Sequence, residues 1–526
     1  MTTESTANRQ IARAAGTVML AFIISNLIGL LRTILVAKAF GTSTAMEAFT
    51  PANRVSETLF TLVAAGALGS AFIPAFTGLL TKGDRRGAWQ LASAILNLVL
   101  LIVTLLAAIA FFFAPQIVRY LLASGFATDP EKLALTISLT RLMLPSTVIF
   151  GLSGLVMAIL NSHQVFLIPA LTPSMYSLGM IFGVEVLAPR LGIYGLAWGV
   201  LIGAVLHLAV QIPALLRLRG QYFPILGLKL AAVREVASLM GPRLFGVAIV
   251  QLNFWVNTQL ASLQPEGSVN GIFYAFTLMM MPQAAIAQSI AIAAMPTFSI
   301  QVAHGKLDEM RASLAASLRG VLLLSVPASL GLMLLRQPLV VLLYQRGQFT
   351  AQSTELVTWA LLWYGAGLVG HSVVEILARA FYSLHDTRTP VLVGAAAMSL
   401  NVLFSVVFSA LFNHLGWAPH GGLALANSLA TALEMVGLLV LMQRRLGGLD
   451  GRRVWQGAVQ ATLAAGVMSL GVWEWLTWTA GRPTWQTLGG GLLVGAGVYG
   501  LVVLLLGVRE VRTLVSLIKA KFRPSS

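Results

Sequence analysis

Arg32, Glu47, Arg54 and Glu57 fall in two segments whose other residues are mostly Ala, Leu, Ile, Val, Phe and Gly. Guanidinium groups stay charged and fork onto phosphate oxygens, so two of them can hold a pyrophosphate. The carboxylates can screen the arginines until such a ligand arrives, or pair with them for good, Arg32 with Glu57 or Glu47. Glu57 can also exchange a proton, because burial favours the neutral acid. A charge at the bilayer centre costs about 2.5–3.5 kcal/mol on insertion scales, so such groups ordinarily face a bundle interior or a water-filled cavity. Their clustering in the first two apolar segments predicts a polar chamber with Arg32, Arg54, Glu57 and Glu47 as substrate ligands.

The other candidates divide between chamber and packing. Glu375 and Arg379 are four residues apart, an i,i+4 pair that either closes on itself at a helix contact or lines the chamber. Asn257, Asn401 and Asn427 are polar groups in apolar segments, suited to a coupling cation or to hydrogen bonds between helices. Asn257, Thr277, Glu375 and Arg379 are carried forward as cavity or coupling residues. His207 and His371 read as core histidines, with no second ligand at metal spacing. Arg141, Arg319 and Glu434 are lone charges. Catalytic Ser/His/Asp sets, acid-rich metal motifs and the nucleotide motif Gly-x4-Gly-Lys-Ser/Thr are missing, so the expectation is no enzyme and no cofactor or metal.

The elements that must position these residues are membrane helices. The 526 residues are 57% hydrophobic and 10% charged, with mean hydropathy +0.84; a soluble domain carries about 25% charged residues. Fourteen apolar segments can be drawn, at 14–39, 47–80, 88–113, 132–161, 166–188, 193–216, 236–263, 268–302, 311–335, 353–384, 389–413, 420–443, 455–480 and 485–508. The net charge of +16 lies mostly in short loops rather than on a nucleic-acid-binding face. With the N-terminus inside, basic residues favour the inner loops by about threefold, which predicts a multi-pass inner-membrane protein with both termini cytoplasmic. The Trp473, Trp475, Trp478 and Trp485 cluster then falls at the outer interface. The N-terminal MTTESTANRQIARAAG reads as a retained tail, not a signal peptide.

The chain repeats itself. Ala71-Phe72-Ile73-Pro74 has a counterpart in Ala293-Ala294-Met295-Pro296, and the loops Lys82-Gly83-Asp84 and His304-Gly305-Lys306 share that offset. Leu160-Asn161-Ser162 before Pro169 matches Phe381-Tyr382-Ser383 before Pro390. The expected architecture is all-α and polytopic, with two six-helix lobes plus two extra C-terminal helices. The boundaries are a tail at 1–13, an N-lobe at 14–219, a linker at 220–235, a C-lobe at 236–445, added helices at 446–508 and a basic tail at 509–526. Six spans per repeat place the pseudo-symmetry axis along the membrane normal. Asp386-Thr387-Arg388-Thr389-Pro390 reads as a turn between helices, with Thr389 as N-cap.

Gly29-Leu30-Leu31-Arg32, Phe40-Gly41, Gly66-Ala67-Leu68, Ala71-Phe72-Ile73-Pro74, Ala158-Ile159-Leu160-Asn161, Ile168-Pro169-Ala170, Asn257-Thr258, Gly267-Ser268-Val269, Tyr274-Ala275 and Phe381–Pro390 resemble the MurJ (MviN) family of lipid II flippases. That family belongs to the superfamily of multidrug and oligosaccharidyl-lipid exporters. The resemblance implies a fourteen-helix fold and an arginine-rich cavity that receives a diphosphate, with Arg32 and Arg54 at cavity positions and Glu47 where the family carries an aspartate. It implies translocation of the polyprenyl-diphosphate-linked peptidoglycan precursor from inner to outer leaflet, with that lipid and the surrounding membrane lipids as partners. A monomeric state and contacts with cell-wall synthesis proteins are left open. Two family arginines are replaced, in Ser56-Glu57-Thr58-Leu59-Phe60-Thr61 and in Ala275-Phe276-Thr277, and the family Glu-Gly pair reads Ala65-Gly66. The alternative is an exporter of the same superfamily carrying another lipid-linked oligosaccharide or a small molecule.

Overall fold

The computed structural model describes residues 2–62 and 71–508, and every regular element among them is helical. Gly66, Ala67 and Leu68 and the basic tail from 509 lie outside the described residues. The described residues of the fourteen apolar segments fall on helix, and most ends lie within a few residues of those read from the sequence; the exception is the first helix, which starts at Thr2 rather than 14. Among the described residues eleven helices are long and apolar enough to cross a membrane, or twelve if the bent pair Ala231–Gly241 and Gly246–Ser262 is one span. By length and composition the count therefore stands below fourteen, and two segments account for the difference. Segment 47–80 contains Thr44–Phe60, 17 residues with Glu47, Arg54 and Glu57 inside it, and the nine-residue Ile73–Thr81. Segment 455–480 is Gly451–Trp478, whose Arg452, Arg453, Gln456, Gln460 and Glu474 dilute its apolar character.

The chain divides into two compact units, Met1–Glu266 with Arg346–Phe349, and Gly267–Gln345 with Thr350–Ser526. In the first, side chains cap the helix starts. Ser43 accepts from Met46 N–H at 3.4 Å, Asp84 from Gly87 at 2.8 Å and Asp129 from Lys132 at 3.1 Å, each satisfying an orphan amide. Val36, Met46, Phe49, Leu139, Met143 and Leu196 form the core joining Thr2–Phe40, Thr44–Phe60, Pro130–Ser162 and Ile193–Ala209. Leu167–Phe182 crosses Ile193–Ala209 so closely that a Cβ on Gly179 would lie 2.2 Å from Gly203 Cα. Backbone approach of this kind supplies the van der Waals packing that holds helices together in lipid. Ala231–Ser262 belongs to this unit too: Trp255 Nε1 donates to Thr58 Oγ1 at 2.8 Å, and Ser124 N–H to Gln259 Oε1 at 3.0 Å.

In the second unit Phe298, Leu314, Ile376, Leu377, Phe381 and Leu438 form the core of Ser289–Ala303, Leu307–Leu334, Ala351–Ser383 and His420–Leu446. Gly451–Trp478 and Thr484–Leu505 join it through Leu335, Met468, Val472 and Leu488. Trp475 Nε1 donates to Thr487 O at 3.0 Å, while Trp473, Trp478 and Trp485 stay exposed.

The repeat is visible in the helix ends. Arg85–Phe112 and Leu307–Leu334 are displaced by 222 residues at both ends (307 − 85 and 334 − 112). Pro130–Ser162 and Ala351–Ser383 are displaced by 221 (351 − 130 and 383 − 162). Both halves interrupt the second helix with π-helical turns, at 61–62 and 71–72 in one and Ala284–Gln288 in the other.

The Phe381–Pro390 motif is a turn between two helices, but its cap is not Thr389. Asp386 Oδ1 accepts from Thr389 N–H at 3.0 Å and Oδ2 from the Thr389 hydroxyl at 2.8 Å. The Thr389 amide, with its hydroxyl in support, holds the Asp386 carboxyl below its usual pKa. The N-cap position is Thr387, which makes no side-chain cap bond. Asp386 just before it supplies the bond, because its carboxylate reaches an amide three residues on. Thr389 already lies inside the helix Arg388–His414.

Candidate functional site

Asn53, Arg54 and Glu57 lie together on Thr44–Phe60, where residues three and four apart are neighbours. Arg54 Nη1 meets Glu57 Oε2 at 3.1 Å, and Asn53 Nδ2 donates to Glu57 Oε1 at 2.8 Å. The pair is not sealed, because the Glu57 side chain is 42% exposed and that of Arg54 19%. The Arg54 guanidinium lies 5.0 Å from the Phe254 ring centroid, and its buried Nε has no hydrogen-bond partner among the described residues.

Arg32 comes from Thr2–Phe40 and stands 5.7 Å from the ring of Tyr176 on Leu167–Phe182. Tyr176 is near enough to Asn53, Arg32 and Glu57 to feel all three electrostatically. Arg32, Asn53, Glu57 and Tyr176 therefore share one neighbourhood built from three helices. Among the described residues no carboxylate forms an ion pair with Arg32, which corrects the alternative of a fixed Arg32–Glu57 or Arg32–Glu47 bridge. Two guanidiniums against one carboxylate leave a net positive charge there.

Glu47, grouped with these residues on sequence, is placed differently. It is 2% exposed and ion-paired with Lys132 of Pro130–Ser162, itself 9% exposed and 4.2 Å from the Phe126 ring centroid. That pair ties two helices together. Phe150 packs edge to face on both Tyr176 and His207, and Phe60 packs edge to face on His207. Ser153 Oγ lies 2.6 Å from His207 Nδ1 and accepts from Gln211 Nε2 at 2.6 Å, so His207 is a hydrogen-bonded core histidine.

Asn257 Nδ2 donates to Asn253 O at 2.9 Å and Asn253 Oδ1 at 3.0 Å, one turn from Phe254. Thr277, Glu375 and Arg379 belong to the second unit. The Thr277 hydroxyl donates to Phe273 O at 2.8 Å within its own helix. Arg379 Nη2 and Nε meet Glu375 Oε1 at 2.9 and 3.3 Å, so the i,i+4 pair closes on itself, half-buried, with Nη1 4.0 Å from Met295 Sδ. His371 Nε2 lies 3.1 Å from Asn427 Oδ1.

Sequence reasoning missed Lys132, Tyr176 and Asn53. The spacing of Asn53 and Glu57 carried a signal, since four residues apart means one helix face. Lys132 is 85 residues from Glu47 and gave none.

A family model described as lipid II flippase MurJ matches residues 36–516. A Vibrio cholerae protein named probable lipid II flippase MurJ is 30% identical, the match covering 96% of this chain and 98% of that one. The Burkholderia cenocepacia lipid II flippase MurJ is also 30% identical, over 88% and 90% of the two chains. A solved structure of lipid II flippase MurJ in an inward closed conformation has a TM-score of 0.81 at 23% identity, covering 94% of this chain and 99% of that one. An inward-facing multidrug resistance transporter of the MATE family gives 0.67 at 15% identity, over 81% and 96%. These last two likenesses concern the fold alone. On the family model and the full-length relatives, the chain belongs to the lipid II flippase MurJ family, a family of multi-pass membrane transporters.

Proposed function

We propose that this chain carries lipid II, the polyprenyl-diphosphate-linked peptidoglycan precursor, from the inner to the outer leaflet of the bacterial inner membrane by alternating access. The observation that carries the reading is Arg32, a guanidinium inside an apolar helix with no ion-pair partner among the described residues, beside the open Arg54–Glu57 pair. An unpaired cation at such depth is costly unless it serves a ligand. Arg32 meets one phosphate of the diphosphate, and Arg54 turns from Glu57 to the other. Glu57 screens Arg54 in the empty state and releases it on loading. Tyr176 and Asn53 hold the head of the cluster in place, while the Glu47–Lys132 pair fixes the helix that carries it.

Asn257, Thr277, Glu375 and Arg379 are proposed as cavity or coupling groups. The excess of basic residues in the inner loops supports both termini lying in the cytoplasm. The lobes follow the repeat boundaries, 14–219 and 236–445, with 446–508 added. Net positive charge at the site makes loading sensitive to membrane potential, at about 2.3 kcal/mol per charge per 100 mV. The relatives matched over nearly the whole chain are named for lipid II, so the small-molecule alternative is not favoured. The test is flipping of labelled lipid II in vesicles, wild type against Arg32→Ala, with rescue of flippase-depleted cells alongside. Equal flipping by both proteins removes the diphosphate clamp, and failure of well-expressed wild type to rescue removes lipid II as cargo.

A further inference from the structure

Arg141 takes no part in the cluster just described. It lies eleven residues into Pro130–Ser162, about 16 Å along the axis at 1.5 Å per residue. Its Nε donates to Phe111 O at 3.1 Å, and its guanidinium stands 5.2 Å from the Phe111 ring centroid. Phe111 is in the last turn of Arg85–Phe112, where carbonyls lack a helical donor. The contact fixes one nitrogen and leaves Nη1 and Nη2 without a protein partner among the described residues.

Beside Arg141 runs an apolar cavity of about 710 Å³, lined by Leu142, Pro145 and Ile149 of its own helix and Trp198, Ile202 and Leu206 of Ile193–Ala209. Successive helices alternate in direction. The last turn of Arg85–Phe112, the first third of Pro130–Ser162 and the first turns of Ile193–Ala209 therefore share one end. Phe111, Arg141 and Trp198 lie toward that end, and Ile149 and Leu206 farther along. A cation and an indole above an apolar trough match the head and tail of an amphiphile.

We infer that this trough binds one acyl chain of an anionic bilayer phospholipid whose phosphate is taken by Arg141. The lining carries a single cation and no carboxylate. One guanidinium suits one phosphodiester, whereas a diphosphate calls for the second cation that the Arg32–Arg54 cluster provides.

The full chain, stripped of lipid in detergent, is titrated with phosphatidylglycerol or phosphatidylcholine and the bound lipid counted by native mass spectrometry. Phosphatidylglycerol is expected to be held more tightly, to weaken about fivefold in Arg141→Gln and to recover in Arg141→Lys. Ile202→Trp fills the trough, leaves the Arg141–Phe111 contact alone and is expected to abolish retention. If Arg141→Gln frays the end of Arg85–Phe112 and cannot be purified, Ile202→Trp decides. Equal binding of phosphatidylglycerol by wild type and Ile202→Trp overturns the site. So does equal retention of the two lipids, or one-for-one displacement by lipid II, which would give the trough to the cargo's tail.

Discussion

Glu47 and Glu57 lie on the same helix, ten residues and about 15 Å apart, and meet opposite surroundings. Glu47 is closed into the core against Lys132, with both side chains under a tenth exposed. Glu57 pairs with Arg54 at 3.1 Å but keeps 42% of its side chain open, with Asn53 and Tyr176 beside it. A sealed pair is fixed, since breaking it strands a charge in a low-dielectric interior. An open pair can change partners, since water and a ligand oxygen both reach it. The two carboxylates thus separate what holds the helix from what the helix offers.

The sealed pair should respond most. Lys132→Ala leaves Glu47 buried without its cation, and about 3–5 kcal/mol of stability should be lost. The drop is read from the thermal unfolding midpoint and the yield of folded protein. Lys132→Met combined with Glu47→Leu should recover most of it, because an apolar pair of similar volume often matches a buried bridge. If Lys132→Ala unfolds like wild type, Glu47 is not sealed and the contrast with Glu57 disappears.

Arg32→Ala comes next and should act on transport alone. A hydrogen bond to a charged group is worth about 1.5–3 kcal/mol, so flipping at low cargo should fall about ten- to a hundredfold. The unfolding midpoint should barely move, because Arg32 closes no ion pair among the described residues. A large loss of stability would make Arg32 a packing residue instead.

Glu57→Gln should be milder. It removes the charge that competes for Arg54, so cargo affinity should rise by up to about fivefold, with stability changing by less than about 1 kcal/mol. Binding of labelled lipid II to purified protein checks it. A fall in affinity would mean that Glu57 touches the cargo directly.

The helices were legible because lipid forces the backbone to satisfy itself, so apolar run length reports where most of the described helices lie. The repeat was legible through Pro74 and Pro296 and the two short loops, and the helix ends carry the same offset. Arg32, Arg54 and Glu57 stood out as charges in apolar segments. Their partners did not, because Tyr176 and Lys132 reach them across other helices, and period and propensity say nothing about such crossings. Glu47 was misgrouped for that reason. The seventh helix shows the same limit. The repeat offset read from the sequence would start a new lobe near residue 236, whereas Trp255, Gln251 and Gln259 bond within the compact unit that runs to Glu266.

Asp386 sets the lower end of the scale, a carboxylate held by hydrogen-bond donors rather than by a close cation. Its oxygens accept from the Thr389 amide and hydroxyl, outside the spanning segments. Asp386→Ala should lose about 1 kcal/mol, the usual worth of an N-cap. The folded state holds this carboxyl below its ordinary value. Its stabilisation is therefore complete above the unfolded pKa of about 3.9 and fades as pH falls through the folded pKa. Wild type and Asp386→Ala should differ in unfolding midpoint at about pH 7, and the difference should shrink as pH falls below about 3.9. Identical midpoints for wild type and Asp386→Ala at neutral pH would mean that the Asp386 carboxylate does not cap this helix.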